Sequence, residues 1–275
     1  MANSSNVLTE AVDAVVNSFR KHSTEAQHDV DVAEALQEFW QMKHARGNAS
    51  PNGSHITYDT LHETDGTFVG FVTLPGGSCF GSFEVCLTEE EAHQSAAKIA
   101  LVNSVFNEHP TSKITKSSIK RILADASKSF KMSCSSDHEF MKSIGVFKEM
   151  LKSHIGLSML SFQKSMSVFQ LLHWNGSLKA MKERHCSREE VIQHYGSRTI
   201  DDEMRQQVAL DWIARAKESS DVLDRELSYA VAELNNARLA GQELRFIKEK
   251  YYILKTCKQQ IKRLARDDSD GKYDS

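Results

Sequence analysis

Proline is nearly absent. Only Pro51, Pro75 and Pro110 interrupt 275 residues, which leaves room for long unbroken helices. No apolar run approaches the roughly 20 residues needed to cross a bilayer. The opening MANSSNVLTEAV lacks the basic flank and apolar core of a secretory signal. The cysteines Cys79, Cys86, Cys134, Cys186 and Cys257 form no C-x-x-C pair, so metal-ribbon and redox spacings are missing. An odd set of this kind reads as reduced thiols in a cytosolic protein. The sequons at Asn3, Asn52 and Asn175 are then chance matches. Basic residues are scarce in one stretch: between Asp31 and His109, three of them (Lys43, Arg46, Lys98) stand against eleven acidic residues, a net of −8. From Pro110 to Ser275 there are 29 basic and 22 acidic residues, a net of +7. The two halves are oppositely charged, which bears on what each can bind.

What is present falls into two patterns. Residues 1–29 read as a loosely held leader with a short helical stretch, LTEAVDAVVNSF. VAEALQEFWQM then puts Val32, Leu36, Phe39 and Trp40 on one helical face, with Asp29 or Asp31 as N-cap. A loop through Gly47, Pro51, Asn52 and Gly53 leads to three strand-like runs, HITYDTLHE, TFVGFVTL and SCFGSFEVCL. In the third run, Phe83, Val85 and Leu87 alternate against Ser82, Glu84 and Cys86. Asp65-Gly66 and Pro75-Gly76-Gly77 mark the two turns. Thr88 with Glu91 forms a capping box for EEEAHQSAAKIALVNSVFNE. The order is α-β-β-β-α.

Beyond Pro110 the periodicity is helical throughout. Phe147, Met150, Leu151, Phe162, Phe169 and Leu172 build an apolar interior. Asn175-Gly176 breaks the pattern. Ser187 with Glu190, and Thr199 with Asp202, open two further helices. DVLDRELSYAVAELNNARLAGQELRFIKEKYYILKTCKQQIKRLA reads as one long helix or a helical hairpin. Leu223, Leu227, Ala230, Leu234 and Ala237 form its seam, and Gly241 disturbs the register.

A strand followed by a small-residue helix is how a double-stranded RNA-binding domain finishes. That helix ordinarily opens with lysines that track phosphates. Aligning its alanine pair on Ala96 and Ala97 puts the lysine positions on Glu89, Glu90 and His93. Nucleic-acid affinity rests on neutralising phosphates, so this face disfavours RNA. The same carboxylates stabilise a helix start by roughly 0.3–1 kcal/mol each. The basic stretches KSSIKRILADASKSFK and KQQIKRLAR keep RNA binding as the alternative, although solvent-facing lysines on amphipathic helices explain them too.

No catalytic set stands out. LPGGSCFGS lacks Gly-Lys-Ser/Thr and joins two strands, so it is a turn and not a phosphate loop. Cys79 has no motif histidine to activate it. His154, His173, His185 and His194 lack the spacing of a zinc site, and the run Asp201, Asp202, Glu203 reads as a cap. Trp174, in LLHWNGSLKAMKERHC, is either a core anchor or an exposed interface residue.

FVTLPGGSCFGSF with AAKIALVNSVFNE, and FQLLHWNGSLKAMKE with GQELRFIKEK, resemble the limb expression protein family. LQEFW, ITKSSI, CSREEVI and VALDWI match as well, and the similarity runs from Ala33 to Lys250. The resemblance implies a cytoplasmic, non-enzymatic protein without cofactor or metal. Its implied partners are the intracellular tails of Fat and Dachsous cadherins, which could bring it to the cell cortex without membrane insertion. The expected architecture is α+β: a double-stranded-RNA-binding-like domain at residues 30–110, an all-helical domain at 111–266, and a polar tail at 267–275. The apolar and aromatic residues Phe169, Leu172, Trp174, Leu244, Phe246 and Tyr251 are the expected partner-binding set.

Overall fold

The computed structural model describes residues 31–46, 55–63, 65–106, 112–133, 136–219 and 221–270, with positions 10, 12–14 and 17 near the N-terminus. The loop expected at Gly47 to Gly53, and Pro110 and Cys134, lie outside the described residues. The chain divides into two compact units. One joins Met1–Glu108 to Gln206–Ser275; the other is His109–Arg205. The helices read from sequence as a single domain from 111 to 266 are therefore shared between them.

In the first unit, helix α1 (Val32–Arg46) starts at Asp31, whose carboxylate accepts the Ala33 and Glu34 amides at 2.9 and 3.1 Å. Asp31 is one of the two expected caps; Asp29 lies outside the described residues. Gln94 secures the same helix start from outside, donating to Asp31 at 2.7 Å and accepting from the Val32 amide at 2.9 Å. Strands β1 (Thr57–His62), β2 (Phe68–Thr73) and β3 (Cys79–Gly81) form an antiparallel sheet in the order β1-β2-β3. Helix α2 (Glu89–Phe106) closes the α-β-β-β-α order expected from sequence.

Strand β2 is the centre of the unit. Its run FVGFV is apolar at every position except one glycine because both faces are covered. Val72 joins Leu36, Trp40, Leu74, Phe80, Ile99 and Leu101 in the core under α1 and α2. Val12, within the expected leader, is buried in that same core. Gly70 sits where α2 crosses: a Cβ there would lie 2.4 Å from the Ala92 carbonyl oxygen. Only a residue without a side chain permits that approach.

Val69 and Phe71 point the other way. They pack with Cys79 against Leu234 and Ala237 of α9 (Val222–Leu239) and against Leu244, in the turn that precedes α10 (Arg245–Asp270). The long C-terminal pattern is thus a helical hairpin, turning at Gly241 with φ 62°, a backbone conformation suited to glycine. Its seam residues Leu223, Ala230, Leu234 and Ala237 are buried as the spacing indicates. Helix α10 continues to Asp270, four residues into the segment expected as tail.

Polar ties fasten this hairpin to the sheet. The Leu244 amide donates to the Cys79 carbonyl at 2.8 Å, and the Glu243 carboxylate accepts the Cys79 amide at 3.0 Å. Arg245 donates to the carbonyls of Gly77 and Gly76 at 2.8 and 3.1 Å. Arg238 donates to the Ser82 carbonyl. Lys248 pairs with Asp59 at 2.8 Å. Helix α8 (Asp202–Glu218) also meets α10, where the Cys257 thiol donates to the Ala209 carbonyl at 3.4 Å. Its cap is Asp201, which accepts the Met204 amide at 2.8 Å; the expected Thr199 cap gives way to a carboxylate closer to the first turn.

The third strand departs from the alternation read in the sequence. The ladder stops at Gly81, and Ser82 and Cys86 are the buried residues while Val85 and Leu87 are exposed. Ser82 is drawn inward by two bonds with Gly70: its amide donates to the Gly70 carbonyl and its hydroxyl accepts the Gly70 amide. Cys86 is fixed by its bridge to Phe68. Val85 and Leu87, on either side of Cys86, are left open to solvent, while Phe83 stays half-buried against the core under α1 and α2.

The second unit consists of α3 (Lys116–Ser133), α4 (Asp137–Ser153), α5 (Met159–Trp174), α6 (Ser177–Glu183) and α7 (Arg188–Tyr195). Ile114, Ile119, Met150, Leu151, Phe162 and Phe169 form its core. The Ser187–Glu190 capping box is closed in both directions. One isolated bridge, Lys113 to Ser158, accompanies these helices.

Candidate functional site

The start of α2 holds Glu89, Glu90 and Glu91. Here Glu91 is committed to the helix itself. Its carboxylate accepts the amides of Leu87 and Thr88 at 2.9 and 3.2 Å, and the Thr88 hydroxyl accepts the Glu91 amide at 3.2 Å. Glu89 accepts from the Thr60 hydroxyl at 2.9 Å, and the same hydroxyl lies 2.9 Å from His93 Nε2. A hydroxyl with one proton to give satisfies both contacts when it donates to Glu89 and accepts from a His93 Nε2–H. The His93 ring lies tilted against Tyr58, with ring centres 4.9 Å apart. Burial, with the Asp31 charge as a lesser cause, pushes the Tyr58 phenol up to about 12.

The surface that results is anionic. Glu89 and Glu90 are exposed at the positive end of the helix dipole, and Glu84 faces Lys98 at 3.9 Å. A phosphate placed about 5 Å from a carboxylate would be repelled by about 0.8 kcal/mol per pair even at the dielectric of water. Lysines at those positions would reverse the sign.

The expected partner-binding set separates into core and half-buried members. Phe169 and Leu172 are buried in the second unit, where Trp174 is half-buried. Leu244 is 0% exposed beneath the sheet of the first unit, where Phe246 and Tyr251 are half-buried. Tyr251 packs on the Leu244 core and lies 5.4 Å below Lys255 Nζ. Three of the six side chains are therefore packing residues of the folded chain. Among the described residues, the large apolar side chains most open to solvent lie elsewhere: Val85 at 81% and Leu87 at 71%. Both belong to the third strand-like run, in which Phe83 packs on the core and Val85 and Leu87 do not.

The other candidates have structural roles. The carbonyls of the Gly76-Gly77 turn face the Arg245 guanidinium. Cys79 is buried, and burial pushes its thiol up. His154 is buried between the carbonyls of Met150 and Gly196, at 2.9 and 3.1 Å. It forms part of a groove of about 630 Å³ in the second unit, with Arg188, Glu189 and Ile192. A cavity of about 400 Å³ lies between α1 and β1, lined by Trp40, Gln37, Gln41 and Tyr58. Among the described residues no group of three or more His, Cys, Asp or Glu could hold a metal ion. Nor, among them, is any helix long and apolar enough to cross a membrane.

These features define an α+β protein whose small antiparallel sheet is covered on one face by its own module's helices and on the other by a C-terminal hairpin. The family model Limb expression 1 matches residues 11–260, and the chain belongs to that family. No solved structure matches it.

Proposed function

We propose that this protein is a non-enzymatic cytoplasmic adaptor. It binds the intracellular tails of Fat- and Dachsous-type cadherins and supports their levels in tissue growth and planar polarity signalling. Within the family, kinship with the insect member Lowfat is the source of that partner assignment. The observation that carries an adaptor over a nucleic-acid binder is the carboxylate surface at the start of α2, with Glu89 and Glu90 exposed where phosphates would have to sit. Protein tails, unlike a duplex, can present cations or apolar side chains to such a surface, and a disordered tail can order itself on docking.

Capture of the full chain by purified cadherin tails tests this reading, with titration to give a Kd. Saturable binding supports it; no binding to either tail overturns it. The second reading, a duplex-RNA binder, draws on the α-β-β-β-α order. It requires a mobility shift that weakens steeply between low and physiological salt. Glu89→Lys with Glu90→Lys separates the two: creating duplex affinity in a chain that has none supports the carboxylate argument.

A further inference from the structure

The segment after β3 combines three properties rarely found together in a protein at rest. Val85 and Leu87 are the two most exposed large apolar side chains among the described residues. Their backbone is nevertheless held in place. The Phe68 amide donates to the Cys86 carbonyl at 2.9 Å, the Phe83 amide to the Ser95 hydroxyl at 3.2 Å, and the Leu87 amide to Glu91 at 2.9 Å. The segment lies just past the end of β3, the last strand in the order, and returns to the sheet through the isolated bridge of Cys86 to Phe68. Between these anchors the N–H and C=O of Val85 make no hydrogen bond among the described residues. An ordered edge bearing exposed apolar side chains is a template for another strand. Soluble proteins ordinarily blunt such an edge with lysine or proline; here the neighbours are Glu84, Glu89 and Glu90, with Lys98 paired to Glu84.

We infer that residues 83–87 form a docking edge for an extended peptide of a protein partner, one that alternates apolar residues with lysine or arginine. This deepens the adaptor reading above by naming a site and a ligand chemistry. Main-chain bonds to Val85 supply the pairing, Val85 and Leu87 supply the apolar contact, and the flanking carboxylates choose a cationic segment. Because the edge is already ordered, little conformational freedom is lost on the protein side. The carboxylates exclude the same edge of a second copy, which brings like charge against like.

The test uses the full chain and a short fluorescein-labelled peptide alternating valine with lysine, read by anisotropy. A glutamate-for-lysine counterpart and a version with N-methylated pairing amides serve as comparators. Binding of the cationic peptide alone is expected, weakened at least tenfold by Val85→Ser with Leu87→Ser. Both side chains are solvent-exposed, so that variant keeps the melting temperature of the parent; Tyr229→Ser, exposed on α9, leaves binding unchanged. The proposal is overturned by no binding, by equal binding of the acidic or N-methylated peptide, or by equal binding to the double-serine variant. Sedimentation showing self-association lost with Val85→Ser and Leu87→Ser overturns it in favour of a second copy. Peptide binding without tail capture removes the cadherin assignment and keeps the edge; tail capture without peptide binding does the reverse.

Discussion

Replacing Leu244 by alanine separates a core residue from a contact residue. Leu244 is 0% exposed and packs with Val69, Phe71, Cys79, Leu234 and Ala237. Its amide also donates one of the bonds that join the hairpin turn to β3. Truncating a fully buried leucine costs about 2.7–5 kcal/mol, the spread reflecting how far the cavity collapses. Here the floor of the site is a hydrogen-bonded sheet and the lid is a hairpin held by Arg245 and Lys248, so collapse is restricted and about 3 kcal/mol is a fair lower value. For a unit of this size each kcal/mol lowers the melting temperature by roughly 2–4 °C, giving a drop of about 6–12 °C. Calorimetry, with the accessibility of the Cys79 thiol assigning the transition, measures it. Leu264→Ala, half-exposed on α10, is the control and shifts stability by less than about 0.5 kcal/mol. A Leu244→Ala protein melting within about 2 °C of its parent would refute the view that the hairpin seals the sheet.

Gly70→Ala forces a methyl into the Ala92 carbonyl at 2.4 Å and is expected to destabilise by at least about 1–3 kcal/mol in urea titration. Because the obstacle is backbone, adding Ala92→Gly does not restore stability; full rescue would contradict the packing described. In a Cys134→Ser background, Cys186 is exposed while Cys79, Cys86 and Cys257 are buried, and burial pushes the Cys257 thiol up to about 11. A thiol reagent should therefore titrate one group rapidly and three only on unfolding; rapid reaction of two or more in the native state would count against the burial pattern. The hydrogen bond from Gln94, with those from Glu34 and Ala33, holds the Asp31 carboxyl below its ordinary 3.8. A depressed pKa adds stability above the unfolded value that is lost as pH falls through the folded one. Stability should decline below about pH 4, and Asp31→Asn, which retains the cap, should flatten that decline in acid titrations of unfolding. An unchanged slope would assign the acid sensitivity elsewhere.

Local rules carried much of the fold. Asp31, Thr88 with Glu91, and Ser187 with Glu190 announced helix starts because a side-chain acceptor three residues before a free amide works in any context. Asp65-Gly66 and the Pro75-Gly76-Gly77 run announced turns, and the FVGFV run announced a strand. The charge split along the chain places carboxylates at the start of α2 on residue order alone. Non-local contacts could not be read in the same way. Leu244 and Phe169 carry the same apolar signature whether they face a partner or their own core, so apolar and aromatic density beside basic residues offered them as interface residues. Val85 and Leu87 show the converse: apolar in sequence, they are left open because Ser82 and Cys86 are the residues tied to Gly70 and Phe68 across the sheet.

The amino-acid order by itself determined where helices and strands begin, which segments are anionic, and which residues are apolar, because caps, turns and side-chain periods act over a few neighbouring residues. Tertiary structure alone decided that a hairpin about 160 residues downstream covers the second face of the sheet, and hence which apolar residues are left open. That choice rests on contacts between distant segments, whose free energy depends on the surface each one finds to cover.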